Sequence, residues 1–150
     1  MLKVIEADAA ATVTLTHRHI VLTVRPGAER AAKQALIARW YRQQVHLAMF
    51  ELLPTWQSRL RVKPDGIFVR HMKTKWGSCN PRRRFIHLNT ELAKKPRECL
   101  EYIVVHELTH LRVPKHGEQF ISLMNRHLPN WRMSRAALNE LPVRHEEWAC

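Results

Sequence analysis

Apolar and polar residues alternate along the first part of the chain, which is the pattern of β-strands with one buried face. The segment TVTLT begins at Thr12, and the segment HIVLTVRPG runs to Gly27, where it ends in a Pro-Gly turn signal. Two short alternating segments joined by a few polar residues are typical of a β-hairpin. The sequence therefore predicts an N-terminal hairpin.

From Ala28 the spacing of apolar residues becomes helical, over the segment AERAAKQALIARWYRQQVHLAMFELL. Alanine, leucine, arginine and glutamine favour a helix, and the apolar positions recur at helical intervals. Pro54 interrupts the segment, and the residue before a proline is steered away from helical geometry. The pattern therefore predicts a pair of helices, the second of which begins at Thr55.

Two strand-like stretches follow, IFVRHMKT from Ile67 and RFIHLN from Arg84, and a polar link containing WGSCNP joins them. They predict a small antiparallel sheet with a bulge or turn in the link. Next comes ECLEYIVVHELTHLRV, which is apolar on more than one face and so predicts a largely enclosed helix. Pro114 ends this helix, and two shorter helical stretches complete an α+β pattern.

Composition limits the classes of protein that fit this pattern. The 150 residues suffice for one domain with its own core, and 25 Lys and Arg against 13 acidic residues give a net charge of +12. This excess favours acidic partners and keeps nucleic acid open as one of them. The three cysteines, including Cys150, have no CxxC spacing, so a disulfide framework is not expected. We find neither a secretory signal pattern nor a membrane span and expect a cytoplasmic protein.

The predicted core helix carries a group of residues with metal-binding chemistry. His106 and His110 stand four residues apart, so both imidazoles lie on one helix face and can reach one ion. A catalytic zinc site needs a third protein ligand, and His116 follows the helix-breaking Pro114 by two residues. The spacing predicts one zinc ion per chain, bound by His106, His110 and His116.

Glu107 adjoins the first histidine and completes an HExxH pattern. Its side chain leaves the helix about a quarter turn away from His106, beside the ion and not on it. We expect Glu107 to be the general base that takes a proton from a metal-activated water, and therefore the catalytic residue. Burying two imidazoles and a carboxylate in an apolar helix is costly without such a role.

These residues carry a resemblance to a known family. The run from Met72 to Phe120 has WGSC, then an apolar helix with HExxH, then His-Gly and an aromatic residue, and it resembles the YgjP-like metallopeptidases, which are related to the SprT and WLM families. The resemblance implies a minimal zincin core, in which a small antiparallel sheet packs against the HExxH helix. We expect one domain over residues 1–150, with the hairpin and helix pair at about 1–63 and the metal-binding core at about 64–141.

The same resemblance suggests where a substrate would bind. A strand beside the metal could pair with an extended peptide through backbone hydrogen bonds, and Trp76, Gly77 and Ser78 are candidates for it. For Trp76 we favour a structural position in the core beneath the helix over a direct part in binding. Arg82 and Arg84 belong to a basic cluster that could bind an acidic substrate, or that could simply form a solvated turn.

Three functions remain open at this point. The first is a zinc-dependent, metallopeptidase-like hydrolase acting on a peptide or protein. The second is a metal-dependent nucleotide pyrophosphatase that uses the same site, since a metal-activated water also attacks phosphoryl groups. The third is a basic nucleic-acid-associated zinc protein without enzymatic activity.

Overall fold

We describe the fold of residues 1–140 from a computed structural model. Its elements, in chain order, are β1 (Leu2–Glu6), β2 (Thr12–Leu15), β3 (Ile20–Val24), α1 (Arg30–Leu60), β4 (Gly66–Arg70), β5 (Gly77–Asn80), β6 (Phe85–Asn89), a 3-10 helix (Thr90–Lys94), α2 (Arg97–His110), α3 (Glu118–His127) and α4 (Trp131–Glu140). The predicted α+β class is therefore confirmed. Cys150 and the end of the predicted metal-binding core lie outside the described residues.

The chain divides into two compact units, the first over residues 1–43 and the second from Gln44 onwards. In the first unit three strands form a sheet in the order β1-β3-β2, and β2 is antiparallel to β3, as the predicted hairpin requires. Strand β1 was not predicted. It lies parallel to β3, and its apolar residues Val4 and Ile5 are adjacent and so break the alternation that marks a strand. A single domain over the whole chain remains a prediction.

The predicted helix pair is wrong, because α1 is one continuous helix with Pro54 inside it. Contacts with α2 hold the helix on both sides of the proline. Glu51 pairs with Arg97 at 2.6 Å, and the indole of Trp56 donates to the Glu101 carboxylate at 2.9 Å. Pro54 itself is exposed, so the carbonyl that it leaves without a helical partner can be hydrated.

The second sheet has the order β4-β6-β5, and it is mixed where an antiparallel sheet was predicted. Strand β6 is antiparallel to β5 and parallel to β4. The polar link of the prediction contains a strand of its own, because Gly77–Asn80 forms β5 at the edge of the sheet. The chain from β4 therefore leaves the central position empty and forms β5 beyond it. Strand β6 then returns between the two, antiparallel to β5 and parallel to β4.

Helix α2 is the centre of the second unit, as predicted. Every residue from Cys99 to His110 except Glu101 is buried, and the helix packs against β5, β6, α3 and α4. Enclosure from several sides explains why its apolar residues occupy more than one face. Within residues 1–140 no helix is both long enough and apolar enough to cross a membrane.

The crossover that leads to β5 is held by one buried amide. Asn89 is 0% exposed, and its side-chain nitrogen donates to the carbonyls of Met72 at 2.8 Å and Lys75 at 2.7 Å. Its side-chain oxygen accepts from the backbone N–H of Glu91 at 3.0 Å. The Asn89 side chain thus satisfies backbone groups in the crossover before β5 and in the segment after β6. Its bonds to the crossover fix where β5 begins.

We predict that Asn89→Ala lowers the free energy of unfolding by about 3 kcal/mol, because several buried backbone groups lose their partners. The matched control is Asn80→Ala, which removes one exposed acceptor for the Arg83 N–H and should cost less than about 1 kcal/mol. Urea denaturation followed by tryptophan fluorescence measures both. Equal losses in the two variants would contradict the anchoring role of Asn89.

Candidate metal centre

The HExxH residues lie on the most enclosed part of α2. His106 is 2% exposed, Glu107 1% and His110 7%, so three polar side chains occupy the interior of the second unit. The helical repeat puts the rings of His106 and His110 one turn apart on the same face, with centroids 4.9 Å apart. This is the arrangement predicted from their spacing.

The end of α2 brings the third histidine back to the first two. The helix stops at His110, Pro114 follows after three residues, and α3 begins at Glu118, so the short loop between them carries His116. The ring centroid of His116 lies 4.4 Å from that of His110 and 5.2 Å from that of His106. His116 is exposed, which leaves this side of the cluster open to solvent.

The ring of Phe120 contacts all three imidazoles. Its ring centroid lies 4.9 Å from His106, 4.7 Å from His110 and 4.9 Å from His116. We did not predict from the sequence that Phe120 contacts all three imidazoles. The position four residues after His116 on the following helix is the signal that could have suggested this contact.

The nitrogen atoms converge on one point. His106 Nε2 lies 3.2 Å from His110 Nε2 and 3.2 Å from His116 Nε2. Four-coordinate zinc holds imidazole nitrogens at 2.0–2.1 Å, and tetrahedral geometry then separates two such nitrogens by about 3.3 Å. The spacing of the donor atoms therefore fits a single tetrahedral ion.

Two of the rings have partners on their second nitrogen. His110 Nδ1 lies 3.3 Å from the carbonyl oxygen of Val113, and His106 Nδ1 lies 3.5 Å from the hydroxyl of Tyr102. When Nδ1 carries the proton, as these partners favour, Nε2 is left with a free lone pair. Sequence reasoning missed Tyr102, although its place four residues before His106 puts it on the same helix face.

The electrostatic surroundings keep the three imidazoles neutral. Burial, together with the nearby rings of His110 and His116, lowers the pKa of His106 to about 2. Burial and then His116 lower the pKa of His110, while burial and then the charge of Arg135 lower the pKa of His116. Neutral imidazole is the form that binds a metal, so protons compete weakly at neutral pH.

Glu107 stands beside the cluster in an apolar setting. Its Oε1 atom is buried and has no hydrogen-bond partner within residues 1–140. Burial raises the pKa of this carboxyl from the ordinary 4.5 to about 8, and the positive charge of Lys75 partly offsets the rise. A buried polar atom without a partner is costly, which indicates that Glu107 is kept for its chemistry and not for stability.

Because Gly77 has no side chain, strand β5 can lie against Glu107. A Cβ atom at position 77 would lie 2.7 Å from Cγ2 of Ile103 and 3.1 Å from Oε1 of Glu107. Strand β5 therefore reaches α2 only because this residue has no side chain. The neighbouring Trp76 is 3% exposed and carries the Lys95 ammonium 5.5 Å from its ring centre, so its side chain packs in the core.

The other predicted substrate-binding residues are distributed along and after β5. Ser78 is half-buried and lies opposite His87 of β6. Arg82 is exposed in the turn between the strands, and Arg84 donates to the carbonyl of Lys63 at 2.7 Å. Neither arginine belongs to the histidine cluster, and a substrate role for them stays a prediction.

Cys79, on the same strand, is suited neither to nucleophilic attack nor to metal binding. Burial, followed by the charge of Glu107, raises the pKa of its thiol to about 12, so the thiolate is scarce near neutral pH. Its side chain is partly buried and packs against the core.

The comparisons with known proteins identify the class as metallopeptidase. The sequence matches the profile described as "YgjP-like, metallopeptidase domain" over residues 1–141. The chain therefore belongs to the YgjP-like metallopeptidase family, as its WGSC and HExxH motifs suggested. A search of curated proteins gave no match.

Solved structures show the same fold at low sequence identity. The metallopeptidase zymogen abylysin of Pyrococcus abyssi is 18% identical, with a TM-score of 0.58 over 67% of this chain and 99% of its own. The metallopeptidase zymogen jannalysin of Methanocaldococcus jannaschii is 19% identical, with a TM-score of 0.54 over 61% of this chain and 94% of its own. The family match gives no support to the nucleotide and nucleic-acid alternatives.

We predict that Gly77→Ala lowers the free energy of unfolding by about 1–3 kcal/mol, because the added methyl group overlaps Ile103 and crowds Glu107. Gly117→Ala is the matched control, since a Cβ there meets no atom within 4 Å and φ is −105°. The control should change stability by less than about 1 kcal/mol. Guanidinium denaturation of both variants checks this, and a Gly77→Ala variant as stable as the control would refute the close approach.

The raised pKa of Glu107 predicts a pH-dependent stability in the absence of metal. Between pH 4.5 and about 8 the folded carboxyl keeps a proton that the unfolded one has lost, so this group's stabilising contribution falls as pH rises. Glu107→Gln cannot titrate. We expect the free energy of unfolding of the variant, relative to that of the unsubstituted protein, to rise by about 1 kcal/mol for each pH unit of increase in that window. Urea denaturation in chelator at several pH values measures this difference, and a constant difference would contradict the buried, protonated state.

Proposed function

We propose that this protein is a zinc-dependent metallopeptidase with one zinc ion per chain. His106, His110 and His116 hold the ion through their Nε2 atoms, and Glu107 is the general acid and base. The observation that carries this proposal is the convergence of three Nε2 atoms, with that of His106 3.2 Å from each of the other two. Beside them lies a buried carboxylate oxygen that has no partner within residues 1–140. Three imidazoles favour zinc and its transition-metal neighbours over magnesium or calcium.

When bound, zinc supplies a Lewis acid that polarises the scissile carbonyl and makes a water more acidic. The protein's own residues perform the proton transfers. A cation close to Glu107 lowers the pKa of the carboxyl, so the group becomes an acceptor at neutral pH. Glu107 then takes a proton from the attacking water and delivers it to the leaving amine nitrogen.

Strand β5 is suited to hold the peptide. It lies at the edge of its sheet, so one row of its backbone N–H and C=O groups is not used by β6. An extended peptide that pairs with this edge would run past Gly77, where strand β5 lies against Glu107. Trp76 would support the strand from the core and Ser78 would lie along it. Arg82 and Arg84, beyond its end, would meet acidic residues of the substrate.

We predict that Glu107→Gln keeps about one equivalent of zinc while peptide hydrolysis falls by about 10²–10⁴-fold, because the amide cannot accept the proton. Glu118→Gln is the matched control on α3 and should retain full activity. Zinc content is measured by atomic absorption and hydrolysis with a mixture of fluorogenic peptides. Zinc loss in Glu107→Gln with hydrolysis intact would contradict the assigned roles.

We predict that His110→Ala removes zinc together with activity, because two imidazoles do not complete the site. His127→Gln is the matched histidine control, since His127 lies on α3 outside the cluster. Zinc content after dialysis against a weak chelator distinguishes the two variants. If His110→Ala retained zinc as firmly as His127→Gln, another set of ligands would have to hold the ion.

A further inference from the structure

Helix α4 lies directly beside the histidine-bearing face of α2. The ring of Trp131 stacks on that of Tyr102, with centroids 6.1 Å apart, and Tyr102 meets His106 edge-on at 5.7 Å. Further along α4, the thiol of Cys99 donates to the carbonyl of Ser134 at 3.8 Å. The two helices therefore run in opposite directions, and the N-terminal end of α4 is the end nearer the histidines.

Arg135 follows Trp131 by one helical turn and so lies on the same side of α4. Side chains on a helix lean towards its N-terminus, which directs Arg135 back towards Trp131 and the histidine cluster. The electrostatics agree with this direction. The positive charge of Arg135 contributes to the lowered pKa of both His106 and His116.

Arg135 is half-buried, and it makes no hydrogen bond or ion pair with any residue in the 1–140 range. Its neighbour Arg132 differs, because it is exposed, donates to Asn125 at 2.9 Å and lies over the Trp131 ring at 4.3 Å. A half-buried guanidinium without a partner among the described residues keeps its N–H donors available for a bound anion.

A second cation, Lys75, acts on the carboxyl of Glu107 beside the cluster. Its ammonium has no ion pair among the described residues. Even without a metal, the two positive charges of Arg135 and Lys75 outnumber the one carboxylate of Glu107. This part of the surface therefore has a positive potential. Such a potential draws negatively charged groups to the cluster.

We propose that Arg135 binds a carboxylate of the substrate beside the three histidines. This inference rests on the proposed peptidase function, because the bound carboxylate would belong to a peptide substrate. A guanidinium matches a carboxylate with two parallel hydrogen bonds, which gives orientation as well as attraction. The carboxylate can be the C-terminus of a peptide or the side chain of an aspartate or glutamate near the scissile bond.

Binding to the metal-free protein at low salt tests this without hydrolysis. The probes are two pairs of N-terminally labelled hexapeptides, measured by fluorescence anisotropy. In one pair a free C-terminus is compared with a C-terminal amide, and in the other an internal glutamate is compared with glutamine. We expect at least one carboxylate peptide to bind about tenfold more tightly than its neutral partner, as a charge-assisted pair should.

Arg135→Gln and Arg135→Met should abolish this preference, and Arg132→Gln, the matched control, should retain it. The methionine variant keeps the aliphatic packing if glutamine disturbs the fold, and circular dichroism identifies any unfolded variant. The pair that shows the preference identifies the source of the carboxylate. Equal binding of charged and neutral peptides, or a preference that survives in both Arg135 variants, would overturn the proposal. Failure of the peptidase function itself would appear separately, as absent zinc or absent hydrolysis.

Discussion

The structure depends on one costly arrangement, in which two neutral imidazoles and a carboxyl are buried in the second unit and a third, exposed imidazole meets them. His106, Glu107 and His110 are buried on a helix that packs against two strands and two other helices. Apolar side chains of similar size would stabilise that helix better, because buried polar groups lose their hydration. The surrounding elements stabilise a site and not merely a core.

Each surrounding element limits the freedom of one member of this group. The loop after α2 returns His116 to the first two rings, and Phe120 supports all three rings from α3. Tyr102 lies against Nδ1 of His106, and Gly77 lets the edge strand approach Glu107. Donor atoms held at the spacing of a tetrahedral ion need little rearrangement when an ion binds, which favours tight binding.

Much of this arrangement could be predicted from the sequence, because local rules decide it. The four-residue spacing of His106 and His110 fixes their common face, and Pro114 limits how far the helix can run before His116. The helix through Pro54 could not be predicted, since contacts of Glu51 and Trp56 with α2 outweigh the local preference. The parallel pairing of β4 with β6 depends in the same way on a crossover that no local pattern encodes.

The long-range contacts at the site could not be predicted from the sequence either. Nothing in the segment around Trp131 indicates that α4 would stack on Tyr102 and carry Arg135 towards the histidines. The proposed zinc site requires three imidazoles around one ion. X-ray absorption at the zinc edge tests it most directly, and we expect three imidazole nitrogens at about 2.0–2.1 Å with no sulfur ligand. A spectrum with sulfur ligands, or with fewer than three imidazoles, would contradict the account.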